Sequence, residues 1–171
     1  MKASGVCLIG GVAITAAVVA GLYWAGQVRQ GRLLAESVPA RPDLAGWPVE
    51  LVQRVDAAEA RLAAGSDPRA LGALGSLYCA NGFLSEAAQC YQGLVELEAD
   101  EPRWPHRLAH ILAGYGRVAE AIPLWRRTLD LAPDYMPARL RLGDALLKDN
   151  QTDEAAAVYA AALALELSTS R

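Results

Sequence analysis

The chain has 171 residues, room for one domain of ordinary size. Apolar residues make up 53% of it, above the roughly 45–50% usual for soluble proteins. A formal net charge of −3 excludes the basic footprint of a nucleic-acid-binding surface, and the low aromatic share of 6%, with abundant Ala, Leu and Arg, favours helices over sheets.

From Gly5 to Ala25 no charge interrupts the run GVCLIGGVAITAAVVAGLYWA. As a helix it would span roughly 31 Å, enough to cross a hydrocarbon core. Tyr23 and Trp24 stand at one end, where amphipathic rings prefer the interface, and Arg29 and Arg32 come next. The run is longer than the core of a cleaved signal peptide, and no small-residue cleavage site succeeds it. Residues 1–27 are therefore expected to form one transmembrane anchor. Ala13, Ala17 and Gly21 recur at every fourth position and form a smooth ridge of the kind that lets another membrane helix approach closely. Orientation stays open. Arg29, Arg32 and Arg41 after the run favour a cytoplasmic domain, whereas the four-residue tail carrying Lys2 is that of a signal anchor that exports the domain behind it; the expectation leans periplasmic.

Gly31, Pro39, Pro42 and Gly46 mark residues 28–47 as a linker, with a turn or two of helix carried over from the anchor. Pro48 then opens an amphipathic helix over 48–66, in which Val49, Val52, Val55, Ala58 and Leu62 form one apolar stripe. Such a stripe has to bury against something, and the next segment of the chain is the nearest surface.

That segment repeats. Set out with a period of 34 from Pro68, Pro102 and Met136, the rows carry identical residues at Leu74/Leu108/Leu142, Glu86/Glu120/Glu154, Ala87/Ala121/Ala155 and Leu97/Leu131/Leu165. Small residues recur at Gly75/Ala109/Gly143, aromatics at Tyr91/Trp125/Tyr159, and residues that tolerate positive φ at Gly82/Gly116/Asn150. The pattern resembles the tetratricopeptide repeat family, whose unit is a helix–turn–helix of the same period. The resemblance covers residues 67–171 as three units, 68–101, 102–135 and 136–169. It implies an all-α fold: an α-solenoid of three units, with the preceding helix packed on it and the N-terminal transmembrane helix ahead. It also implies roles: the small columns let the two helices of a unit cross, and the aromatic column fills the space between neighbouring units. Departures are Ala99 and Leu167 where the family closes a unit with proline (Pro133 alone conforms), Leu94 and Thr128 where alanine is usual, and Pro123 early in a second helix, where it costs little.

In this family the first helices of successive units line a concave groove. By offset, the resemblance implies a protein-binding groove made by Arg69, Ser76, Arg103, His106, His110, Leu140, Asp144 and Lys148, with small residues such as Gly72, Cys79 and Ala80 among them. A subset of the family clamps C-terminal carboxylates with Lys, Arg and Asn at these places. Asparagine is absent from all of them here, so that clamp is not expected, and the groove suits a helix or extended segment of a partner. His106 and His110 lie i, i+4 on one helix face, a spacing that can hold a metal. Asp144 is the sole carboxylate candidate near them, so neither metal nor cofactor is expected. No phosphate loop, nucleophile elbow or Ser/His/Asp context occurs, and no catalytic residue is assigned. Cys79 and Cys90 sit on antiparallel helices, and the sequence leaves open whether they pair.

Between Ala155 and Leu165 nothing is charged or strongly polar. A helix apolar all round is normally covered, yet only Ser168 to Arg171 remain beyond it where solenoids carry a polar capping helix. Ala157, Ala160, Ala161 and Ala164 are therefore expected to contact another polypeptide. The expected function is a single-pass, bacterial inner-membrane scaffold: an accessory or assembly subunit like those of cytochrome c maturation, respiratory or export machineries. Its partners would be integral-membrane subunits and a peptide or helix in the groove. The alternative is a self-associating structural membrane protein.

Overall fold

The structure, a computed structural model, describes the backbone of residues 6–65 and 67–169 and the side chains of 19–65 and 67–168. The described residues form eight helices and no strand: α1 (Val6–Ser37), α2 (Val49–Ala64), α3 (Pro68–Ala80), α4 (Leu84–Leu97), α5 (Arg103–Gly114), α6 (Val118–Leu131), α7 (Met136–Lys148) and α8 (Thr152–Thr169).

Three helix pairs, α3–α4, α5–α6 and α7–α8, form the repeats, and they stack through α4 on α5 and α6 on α7. The chain reverses within each pair in the same way. Gly82, Gly116 and Asn150 have φ of +84°, +78° and +59°, the left-handed conformation that ends a helix. Immediately after each, a backbone N–H reaches five residues back. Phe83 donates to Tyr78 at 3.0 Å, Arg117 to Leu112 at 2.9 Å and Gln151 to Leu146 at 2.8 Å, each one period from the last.

The core is built from the repeated columns. Leu74, Ala87, Tyr91, Leu94, Ala109, Ala121, Leu142 and Ala155 are buried, and Trp125 with them. The small column is small because the neighbouring helix fills the space. A Cβ on Gly75 would lie 2.9 Å from the Cys90 Cβ and 3.0 Å from the Tyr91 ring; one on Gly143 would lie 2.6 Å from the Tyr159 ring. Thr128, in the column where alanine is usual, is fully buried and returns its hydroxyl to Leu124 O at 2.9 Å, so the polar atom costs little. Pro123 lies exposed on an unbroken α6.

Helix α2 packs on α3. Its buried stripe is Leu51, Val55 and Ala58. Val49, expected in that stripe, is 59% exposed, because α3 meets the face one position round. Over residues 28–47 the helix expected to carry over from the anchor for a turn or two runs slightly further. Helix α1 continues without a break to Ser37 and lies on α4, with Leu34 and Ser37 buried. The contact is close: a Cβ on Gly93 would stand 2.2 Å from the Ser37 Cβ. Gln89 Nε2 donates to the carbonyls of Glu36 and Val38 at 3.4 and 3.3 Å. Beyond the helix, Arg41 reaches Asp56 and Glu59 at 2.7 Å each, and Trp47 lies 4.9 Å from Phe83 between ring centroids.

Among the described residues, no helix is long and apolar enough to cross a membrane. The side chains of most of the expected anchor lie outside the described residues: Gly5 is outside altogether, and Ala13 and Ala17 with their side chains. Gly21 is described, and nothing stands within 4 Å of a Cβ placed on it.

Candidate functional site

A hollow of about 970 Å³ lies along the first helices of the three units. Helix α3 gives it Ser76, Cys79 and Ala80; α5 gives His106, Arg107 and His110; α7 and the residue before it give Tyr135, Leu140, Arg141 and Asp144. Tyr91 of α4 closes the floor between the first two units.

Its polar groups are tied to one another across units. Arg107 Nη1 donates to Ser76 Oγ at 2.7 Å and to the Tyr91 phenol oxygen at 3.1 Å. The same guanidinium stands 5.6 Å from the Tyr91 ring centroid and 5.9 Å from that of Trp104, a two-ring cation–π seat. Tyr91 and Trp104 are themselves stacked, 5.9 Å apart. Burial pushes the Tyr91 phenol above its ordinary pKa, with Ser76 and Arg107 pulling the other way. On the far wall Tyr159 donates its hydroxyl to Asp144 at 2.7 Å, which raises the phenol's pKa, and Arg141 stands 3.7 Å from the same carboxylate.

His106 is half-buried and edge-on to Tyr135, with centroids 5.1 Å apart. Burial first, then the nearby His110, Arg107 and Arg141, hold its pKa below the usual imidazole value. Its Nδ1 is buried without a hydrogen-bond partner among the described residues. No group of three or more His, Cys, Asp or Glu side chains that could hold a metal occurs among the described residues.

Of the groove residues expected from the sequence, Ser76, His106, His110, Leu140 and Asp144 line one hollow. Lys148 lines a smaller one of about 200 Å³ that shares His110 and Asp144 with it. Arg69 and Arg103 lie outside both. Arg103 is held by Glu101 at 2.8 Å and covers Trp104 at 5.1 Å. Gly72 is packed beneath Trp104, whose ring a Cβ there would meet at 2.7 Å. The sequence reading missed Arg107, Arg141 and Tyr135. A signal for the arginines was present: they lie one period apart. Cys79 and Cys90 are free thiols. On α8, Ala157, Ala160 and Ala164 are exposed and Ala161 is half-buried, with Leu163 59% and Leu167 63% exposed beside them.

No curated protein sequence matches the chain. Solved structures share its fold at low identity. A MamA structure of MSR-1 has a TM-score of 0.61 at 18% identity, over 71% of this chain and 70% of that one. A MamA fragment from Desulfovibrio magneticus RS-1 has 0.61 at 18% identity, over 73% and 71%. YrrB, described as a TPR protein with an unusual peptide-binding site, has 0.63 at 20% identity, over 68% and 60%. Two tetratricopeptide repeat models match the sequence itself, one over residues 70–103 and the other over residues 112–170. The chain thus carries tetratricopeptide repeats over these two stretches.

Proposed function

We propose that the protein is a membrane-tethered docking scaffold whose groove holds a segment of a partner protein. The observation that carries this reading is the hollow of about 970 Å³ along α3, α5 and α7. It combines exposed apolar ground, Leu140 at 44% exposure, with hydrogen-bonding groups already held in place. Preordered polar groups around an apolar floor are what a peptide site requires, because the cost of ordering them is met before the guest arrives. The description of YrrB as peptide-binding is in keeping with this use of the fold.

The tether is α1. Support for it comes from the uncharged run from Gly5 to Ala25 and from the outward position of Val19, Leu22, Tyr23 and Trp24, each 65–71% exposed. We assign the anchor to a bacterial inner membrane with the repeats on the periplasmic side. The partners are then integral-membrane subunits of a complex that this protein helps to assemble or brace. Purification of the full-length protein in mild detergent, with mass spectrometry of the proteins that accompany it, tests the reading. A defined set of membrane subunits that is lost on Leu140→Glu supports it. Accompanying subunits that ignore Leu140→Glu would remove the groove from the account, and extraction into buffer without detergent would remove the tether.

A second reading, self-association, is favoured by the uncovered apolar face of α8 around Leu163 and Leu167. A purified species containing this chain alone, in multiples that collapse on Ala161→Lys with Ala164→Lys, would select it.

A further inference from the structure

We propose that the groove receives a partner segment with a side-chain carboxylate flanked on both sides by apolar residues, and that Arg107 is the receptor for that carboxylate. This rests on the reading of the groove as the docking site and names the chemistry of its guest.

The chain treats its guanidiniums unequally. Arg32, Arg41, Arg103, Arg117 and Arg126 each meet a carboxylate of the chain within 2.6–2.8 Å. Arg107 does not. Its hydrogen-bond partners are the neutral hydroxyls of Ser76 and Tyr91, and its seat is two aromatic faces. Both hydrogen bonds use Nη1. They set the plane of the fork and leave its Nε–Nη2 edge without a partner among the described residues. That edge is one of the two that can bind a carboxylate with two parallel N–H···O bonds.

The surroundings select the same sign. The hollow is lined by Arg107 and Arg141 against one carboxylate, Asp144, and that carboxylate already accepts the Tyr159 hydroxyl. A chain of net charge −3 thus carries a groove with an excess of cations, which attracts acidic segments and repels basic ones. Position decides between a side chain and a chain end. Arg107 stands on the middle helix of the three, with Cys79 and Ala80 on one side of it and Met136, Pro137 and Leu140 on the other. A guest that ended at Arg107 would leave half of that ground uncovered. A guest that ran through would cover both halves.

The test is peptide selection on the full-length protein in detergent, with two phage-displayed libraries of short random peptides, one with blocked and one with free C-termini. The expected result is that blocked-terminus binders carry Asp or Glu at one position between apolar residues. Their affinity should fall on the order of tenfold or more with Arg107→Glu and less with Arg107→Lys, which keeps the charge and loses the fork. The Arg107→Glu protein should itself select Lys or Arg at that position. Binders without an acidic position, binders indifferent to both Arg107 variants, or binders confined to free C-termini would overturn the inference. If such binders still disappear with Leu140→Glu, the groove reading survives and only its guest was misassigned. Binders that ignore Leu140→Glu, or no binder from either library, would overturn both.

Discussion

Arg107 and Tyr91 belong to successive repeats, yet the guanidinium of one both donates to the phenol of the other at 3.1 Å and lies 5.6 Å from the centre of its ring. The phenol is fully buried, and its ring also closes against Gly75. Wall and floor of the groove therefore share one side chain. Tyr91→Phe separates the two contributions. It keeps the packing and removes one hydrogen bond to a charged group, so a loss of about 1.5–3 kcal/mol in urea denaturation is expected. Tyr91→Ala opens a cavity in the first unit and should cost about 3–5 kcal/mol.

The half-buried His106 makes stability depend on pH in a definite direction. Its folded pKa lies below the usual value through burial and the neighbouring His110, Arg107 and Arg141. In the unfolded chain the imidazole takes up its proton near pH 6.5. Below that pH the unfolded state binds more protons than the folded one, so stability falls as pH falls toward the folded pKa and levels off beneath it. His106→Gln removes this contribution. Urea midpoints of the two proteins, measured across the acidic range, should therefore drift together above about pH 7 and separate below it, with the parent protein losing more.

Close approach of α1 to α4 depends on the absence of a side chain at residue 93. A Cβ there would overlap Ser37 Oγ at 1.9 Å and its Cβ at 2.2 Å, and rotation of the hydroxyl relieves only the first of these. Gly93→Ala should lift α1 from the repeats while leaving the other helices folded. Limited trypsin digestion reads this directly: cleavage after Arg29 and Arg32 should accelerate several-fold, and cleavage within α5–α8 should not.

Two cysteines of the repeats should differ sharply in reactivity. Burial pushes the Cys90 thiol up to about 12, and its side chain is fully enclosed. Cys79 borders the groove. With Cys7 replaced by serine, iodoacetamide under native conditions should modify Cys79 and spare Cys90, and both should react in denaturant. A peptide seated in the groove should slow the reaction at Cys79.

The repeats were legible because each structural need recurs at a fixed spacing. Positive φ at the chain reversal writes Gly82, Gly116 and Asn150 one period apart, and helix crossing writes Gly75, Ala109 and Gly143. Offsets along α3, α5 and α7 place Ser76, His106, His110, Leu140 and Asp144 around one hollow for the same reason. Arg107 escaped because an offset locates a Cβ, whereas a guanidinium acts several ångströms away, here on Ser76 and Tyr91 of the preceding unit. The docking of the end of α1 on α4 escaped for a different reason. Ser37 against Gly93 is a match of two small residues far apart in sequence, and neither residue alone signals burial. Leu34, three positions before Ser37 on the same helical face, was the one local sign.

The continuity of α1 has mechanical weight. Its 32 residues contain no loop between the first turn and Ser37, so the helix is a stiff arm of about 48 Å fastened to the first repeat at one end. A tilt of about 5° at the fastening would carry the far end by about 4 Å along that arm's arc. Movement of the far end of α1 is thus delivered to its seat on the first repeat as torque.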